Sequence, residues 1–130
     1  MIFVDTNVFV YAVGRPRPLR EPARALLTRH MEGRTPLVTS AEVLQELLHV
    51  YLPVGRIATL DAALALAEDL TTVRPVDAAD VQAARDLVVG HPGLGPRDLL
   101  HLAICARYGA TDLLSFDRAL VAAFGAPRQR

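Results

Sequence analysis

The chain opens on a short apolar run that stops abruptly at polar residues: Ile2-Phe3-Val4, then Asp5-Thr6-Asn7. Such a run reads as a buried strand, and the apolar pattern resumes as Val8 to Val13 before Gly14 ends it. A buried strand feeding a helix constrains the fold more than any other feature here. In an open α/β sheet, ligands sit beyond the carboxyl ends of the strands, which places Asp5 at the mouth of the molecule. For one aspartate alone, the simpler role is to cap the helix that follows.

The rest of the chain repeats the alternation. A Pro/Arg-rich connector, Arg15 to Pro18, leads into an amphipathic helix over Leu19–Met31, with Ala23, Leu26, Leu27 and His30 at helical spacing. Pro36 to Thr39 reads as a strand, and Ser40 as the cap of a helix over Ala41–Tyr51. Arg56–Leu70 is a further helix. Thr72 to Val76 is a weak strand, placed at an edge because Pro75 cannot donate to a ladder. Asp77 caps a helix expected to run through Val89. Pro96 starts another that reaches Tyr108, with Gly109 after it. Asp112 to Ser115 is the last clear strand, and Asp117 opens a helix to Phe124. Strands separated by helices mean parallel pairing, so the expected fold is a helix-rich, three-layer α/β/α sandwich with a short, mainly parallel sheet. At 130 residues, with no linker or repeat, it is expected to form one domain spanning 1–130.

Composition excludes several classes. No apolar run approaches the roughly 20 residues that span a bilayer, and no basic segment precedes the first apolar residues as in a signal peptide. The one cysteine, Cys105, rules out an internal disulfide and fits a reducing cytoplasm; it reads as a core residue. Formal net charge is zero, so no global basic field points to nucleic acid. All 14 basic residues are arginine, which can grip phosphate bidentately. Arg15, Arg17, Arg20 and Arg24 form the densest group, and a solvated face is their simplest reading.

Three more carboxylates stand in places comparable to Asp5. In the helix after Ser40, the apolar residues Val43, Leu44, Leu47, Leu48, Val50 and Tyr51 cover one arc, and Glu46 falls about 40° outside it. That position at the rim of a buried face suits a side chain projecting into a cleft. Glu42 is better placed to complement the helix dipole. Asp98 lies between Leu102 and Cys105 on a helix that is apolar nearly all round, where a carboxylate is costly unless something pairs with it. Backbone amides of the first helical turn could supply that pairing. Asp117, like Asp5, follows a strand and could cap the next helix, whereas Asp112 stands at the wrong end of its strand. His101 reads as a satisfied core histidine, and no Ser or Cys pattern makes His49 or His101 a catalytic base. If Asp5, Glu46, Asp98 and Asp117 converge at one sheet edge, they cannot all ionise without a cation. Oxygen ligands of this kind select Mg²⁺, or Mn²⁺, over zinc, and such a site suits phosphate chemistry.

Taken together, Asp5-Thr6-Asn7-Val8, Glu46 within Val-Leu-Gln-Glu-Leu, Asp98 within Arg-Asp-Leu-Leu-His-Leu-Ala and Ser115-Phe116-Asp117-Arg118 resemble the PIN-domain ribonucleases, and among them the VapC-type toxins of toxin–antitoxin pairs. The resemblance runs from Met1 to about Phe124. It implies that Asp5, Glu46, Asp98 and Asp117 are catalytic, metal-binding acids, with Thr6, Asn7 and Ser115 in support. It further implies Mg²⁺-dependent endonucleolytic cleavage of RNA, a cognate antitoxin protein as inhibitor, and a homodimer. The chain departs from many such relatives in having Arg118, Ala119 and Leu120 where a further acidic or polar residue often follows the fourth acid, which bears on a second metal. Gly125 to Arg130 is a thin candidate for a last strand. Two rival enzymes lack their residues here. A HAD-type phosphatase needs a second Asp two positions after the first, where Asn7 stands, and a receiver domain needs a lysine near its end. A non-toxin nuclease of the same family and a binding module whose acids only cap helices remain as alternatives.

Overall fold

A computed structural model describes residues 1–125. Four short parallel strands form one sheet in the order β3-β2-β1-β4: β1 (Ile2–Val4), β2 (Leu37–Ser40), β3 (Thr72–Arg74) and β4 (Asp112–Leu114). β1 lies inside the sheet and every residue of it is buried. Its register pairs Ile2 with both Leu37 and Asp112, and Val4 with Leu114, so the carboxyl ends of β1 and β4 come out level. β3 lies at one edge of the sheet, as expected for a stretch leading into Pro75, and it stops at Arg74, short of the expected Val76.

Among the described residues, seven α-helices surround the sheet: α1 (Thr6–Val13), α2 (Arg20–Glu32), α3 (Ala41–Tyr51), α4 (Ile57–Leu70), α5 (Ala78–Asp86), α6 (Pro96–Tyr108) and α7 (Arg118–Gly125). α1 packs on α2, α3 and α4, while α5 and α6 pack on each other, which gives the three-layer α/β/α arrangement. The core joins Phe3 and Val4 of the sheet to Phe9 of α1, Leu47 of α3 and Ile104 of α6, all essentially without solvent contact. Each such side chain contributes roughly 1.5–3 kcal/mol of burial. Cys105 is buried within the same core.

Several local expectations change. α5 ends at Asp86 rather than Val89, because Leu87 and Val88 bond to the carbonyls three residues back and tighten the chain into turns. Ser40 stands at the cap position of α3, but its hydroxyl makes no capping bond. Its neighbour Thr39 crosses to the Val4 carbonyl at 2.8 Å. Leu48 and Val50, assigned to the apolar arc of α3, are exposed, and the buried face narrows to Val43, Leu47 and Tyr51. The candidate last strand falls largely outside the described residues. Among the described residues, no helix is long and apolar enough to cross a membrane.

Candidate active site

α1 starts immediately after β1, so the chain turns at Asp5 in the interior. Asp5 Oδ1 accepts the Thr6 N–H at 2.8 Å and caps α1, as the simpler reading had it. The second oxygen does something a cap does not require. Oδ2 accepts the Ser115 hydroxyl at 2.7 Å and the Asn7 side-chain amide at 3.3 Å. Ser115 Oγ in turn accepts Asn7 Nδ2 at 3.1 Å and the Asp117 N–H at 3.0 Å. Asn7 Oδ1 accepts the Phe116 N–H at 3.1 Å. The level ends of β1 and β4 are thereby stitched together by side chains.

Glu46 reaches this place from α3. Oε2 accepts the Thr6 hydroxyl at 2.6 Å, and Oε1 lies 2.8 Å from His101 Nε2. That nitrogen is also 3.5 Å from Asp5 Oδ1. His101 is therefore not the satisfied core residue expected: it is buried, its Nε2 faces the site's own acids, and its Nδ1 has no hydrogen-bond partner among the described residues. It sits three positions after Asp98 on α6, and that spacing puts both on one helix face. The spacing was the available sign that His101 belongs with the acids.

Asp98 projects from the first turn of α6 into the same cleft, which measures about 300 Å³ and is walled by Asp5, Glu46, Asp98, Asp117, Tyr11 and Arg17. Gly95 occupies the cap position of α6, and Asp98 accepts no hydrogen bond among the described residues, so backbone amides do not satisfy it. Asp117 caps α7 by accepting the Leu120 N–H at 3.1 Å, leaving its other oxygen without a hydrogen bond among the described residues. The four carboxylates singled out from the sequence thus border one opening, with Thr6, Asn7 and Ser115 beneath them.

The electrostatics separate the acids into two kinds. Burial pushes the Asp5 carboxyl above its ordinary range, against the opposing pull of His101 and Ser115. Burial also raises Asp98, and the charges of Asp117, Asp5 and Glu46 add to the effect. Glu46 moves the other way: burial would raise it, but the bonds from His101 and Thr6 outweigh that and hold it below the usual range. His101 is raised although burial opposes it, because the Glu46 bond and the Asp5 and Glu46 charges favour the imidazolium. Glu46 and His101 favour each other's charged forms, whereas burial and neighbouring carboxylates disfavour the charged forms of Asp5 and Asp98.

Parallel strands with a cleft of four acids at one edge define an α/β protein whose acidic site lies beyond the carboxyl ends of β1 and β4. Residues 2–124 match the family model described as the PIN domain. The chain is 60% identical to Ribonuclease VapC23 of Mycobacterium tuberculosis, over 95% of this chain and 98% of that one. Its fold superposes on the crystal structure of M. tuberculosis VapC20, a sarcin-ricin loop cleaving toxin, with a TM-score of 0.79 at 23% identity, covering 95% of each chain. It also superposes on VapBC2 from Rickettsia felis, solved bound to a DNA fragment from the promoter, with a TM-score of 0.66 at 19% identity over 91% of this chain and 90% of that one. The chain belongs to the PIN-domain family, among its VapC-type ribonucleases.

Proposed function

We propose that this chain is a divalent-metal-dependent endoribonuclease, the toxin of a type II toxin–antitoxin pair, and that Asp5, Glu46, Asp98 and Asp117 are its catalytic acids. One observation carries the reading: four carboxylates from β1, α3, α6 and the turn before α7 border a single cleft, and one of them, Asp98, accepts no hydrogen bond among the described residues. A structural acid is expected to have partners. Burial and mutual repulsion raise Asp98, and a cation would relieve both.

The donor set fits a hard cation such as Mg²⁺ or Mn²⁺, since it is dominated by carboxylate oxygen. Asp5, Glu46 and His101 each bring one donor atom within 4.8 Å of the others. His101 Nε2 faces Glu46 Oε1, so in this reading the oxygens of Asp5 and Asp98 would hold the cation, with Glu46 and Asp117 beside it. When bound, such an ion would lower the pKa of its water so that hydroxide is available to attack phosphorus, and would stabilise charge on the phosphoryl oxygens. The chain's own residues supply order. Ser115 and Asn7 hold Asp5, and Thr6 and His101 hold Glu46 with both oxygens engaged.

The partner part of this reading is a cognate antitoxin that silences the cleft, and the assembly part is a homodimer, read by sedimentation. The deciding experiment is RNA cleavage by purified protein with Mg²⁺ and with EDTA, ends mapped, against Asp5→Asn. Cleavage confined to the metal-loaded parent supports the reading, and cleavage by folded Asp5→Asn at the parent's rate refutes the site. Slowed growth on expression, relieved by the neighbouring gene's product, separates a toxin from a housekeeping nuclease.

A further inference from the structure

We infer that Arg17 is a substrate-binding residue at the lip of the acidic cleft, where its guanidinium holds a phosphate of single-stranded RNA next to the one being cut. The inference rests on the nuclease reading above and adds what that reading lacks. A cleft walled by four carboxylates repels a polyanion, so the substrate's flanking phosphates need a cation beyond the acids. Arg17 is the basic side chain lining that cleft.

Two other arginines are already engaged. Arg24 donates to the Ala12 carbonyl at 2.9 Å and lies near Glu21, and Arg107 is tied to Asp77 and Asp80. Arg97 borders an adjoining opening that shares Glu46 and Asp98 with the cleft. Arg17 makes no ion pair and no side-chain hydrogen bond among the described residues, although four acids share its cleft. Instead its guanidinium lies over the Tyr11 ring, 5.4 Å from the centroid. Tyr11 is braced edge-on by Phe116 at 5.6 Å and 89°, and Phe116 stands between Ser115 and Asp117. The platform is therefore anchored in the same turn that carries the fourth acid.

Gly14 contributes by having no side chain. A Cβ there would come within 2.9 Å of the Val10 carbonyl oxygen and 3.3 Å of Arg17 Nη2, so glycine lets the loop fold back and lay Arg17 across the ring. A guanidinium stacked on a ring keeps its N–H donors in plane and directed outward, and that fork matches a phosphate. Held in place beforehand, it loses little freedom when the phosphate arrives.

The test uses the full chain and a fluorescein-labelled, mixed-sequence RNA 12-mer in Mg²⁺. Binding is read by anisotropy in the Asp5→Asn background, and cleavage by steady-state kinetics with Asp5 intact. Arg17→Ala should weaken binding about tenfold and reduce the slope of log K against log salt by about one. Arg17→Lys should restore the slope but only part of the affinity, because the charge returns without the fork. In cleavage, KM should rise while kcat changes little, and the melting shift on adding Mg²⁺ should match the parent's. Unchanged affinity and slope in Arg17→Ala, a fall in kcat alone, or no RNA binding in the Asp5→Asn background would each overturn the assignment. Metal-dependent cutting by Arg17→Ala with the parent's KM overturns the grip and leaves the nuclease standing. RNA held through Arg17 but never cut by the native protein does the reverse.

Discussion

Glu46 and His101 stand 55 positions apart in the chain, yet Oε1 of one and Nε2 of the other meet at 2.8 Å beside Asp5. The pair holds one acid of the cleft in a single orientation from a helix on the opposite side. Replacing His101 by Leu would leave a half-buried carboxylate without its partner. The expected loss is about 1–3 kcal/mol of stability, with a larger proportional fall in cleavage than His101→Gln, which retains a hydrogen-bond donor. Chemical denaturation beside initial cleavage rates checks both.

The pH dependence of metal-free stability follows from the same cluster. His101 is raised above its ordinary 6.5, so the stability it brings is complete below that value and is lost as pH rises through the folded one. Asp5 and Asp98 are also raised, and as acids they too lose stability as pH climbs from 3.8 through their folded values. Glu46 is lowered from 4.5, so its contribution is present above that value and disappears on strong acidification. In EDTA, melting temperature should therefore decline from mildly acidic to alkaline pH. His101→Gln should flatten the portion near and above 6.5. A parent that melts higher at alkaline pH would contradict the assignment of charges.

Asp98→Asn separates a metal ligand from a structural acid. Without metal the variant should equal the parent or exceed it by about 1 kcal/mol, since it removes one charge from a repelling group and breaks no hydrogen bond. With millimolar Mg²⁺ the parent should gain more, as binding to the native state stabilises by RT ln(1 + [L]/Kd). Melts in EDTA and in Mg²⁺ decide it: a loss that ignores metal would make Asp98 structural.

Asp5 behaves differently, because it is buried and engaged on both oxygens. Removal to Ala takes the α1 cap and strands Ser115, costing about 2 kcal/mol. Asp5→Asn should keep most of that stability and still abolish cleavage. Asp5 is thus a poor site for truncation to Ala if an intact fold is wanted.

Ser115→Ala tests the stitch between the strands. The hydroxyl donates to Asp5 and accepts from Asn7 and the Asp117 amide, so three groups lose a partner at once. The expected cost is about 1–3 kcal/mol, with cleavage reduced more than Mg²⁺ binding. Isothermal titration of Mg²⁺ alongside cleavage rates reads the two separately.

How much of this was legible in the residues differs from element to element. The strand ending at Asp5 and the helix starting at Pro96 follow from local pattern, and both stand where the pattern put them. Asp98 was visible because a charge on an apolar face is conspicuous, Asp5 and Asp117 because each follows a strand, and Glu46 because it stands at the rim of a buried face. The His101–Glu46 pair was not, because it depends on how α3 and α6 sit across the sheet, and no local spacing reports that. The Tyr11–Phe116 contact joins residues from opposite ends of the chain for the same reason. Ser40 shows the opposite limit: the residue type suits a cap, but whether the hydroxyl is used depends on its rotamer. The end of α5 depended on Leu87 and Val88 tightening a last turn, which the apolar pattern reads as more helix.

β1 is flanked on one side by β4, the last strand of the chain, and Asp5 waits on a hydroxyl from that end. A polypeptide still emerging from the ribosome has made its first acid and its first helix long before Ser115 and Asp117 exist. Until they arrive, one edge of β1 is bare and Asp5 lacks its Ser115 bond. The acidic cleft is therefore completed only as the final stretch of chain folds home.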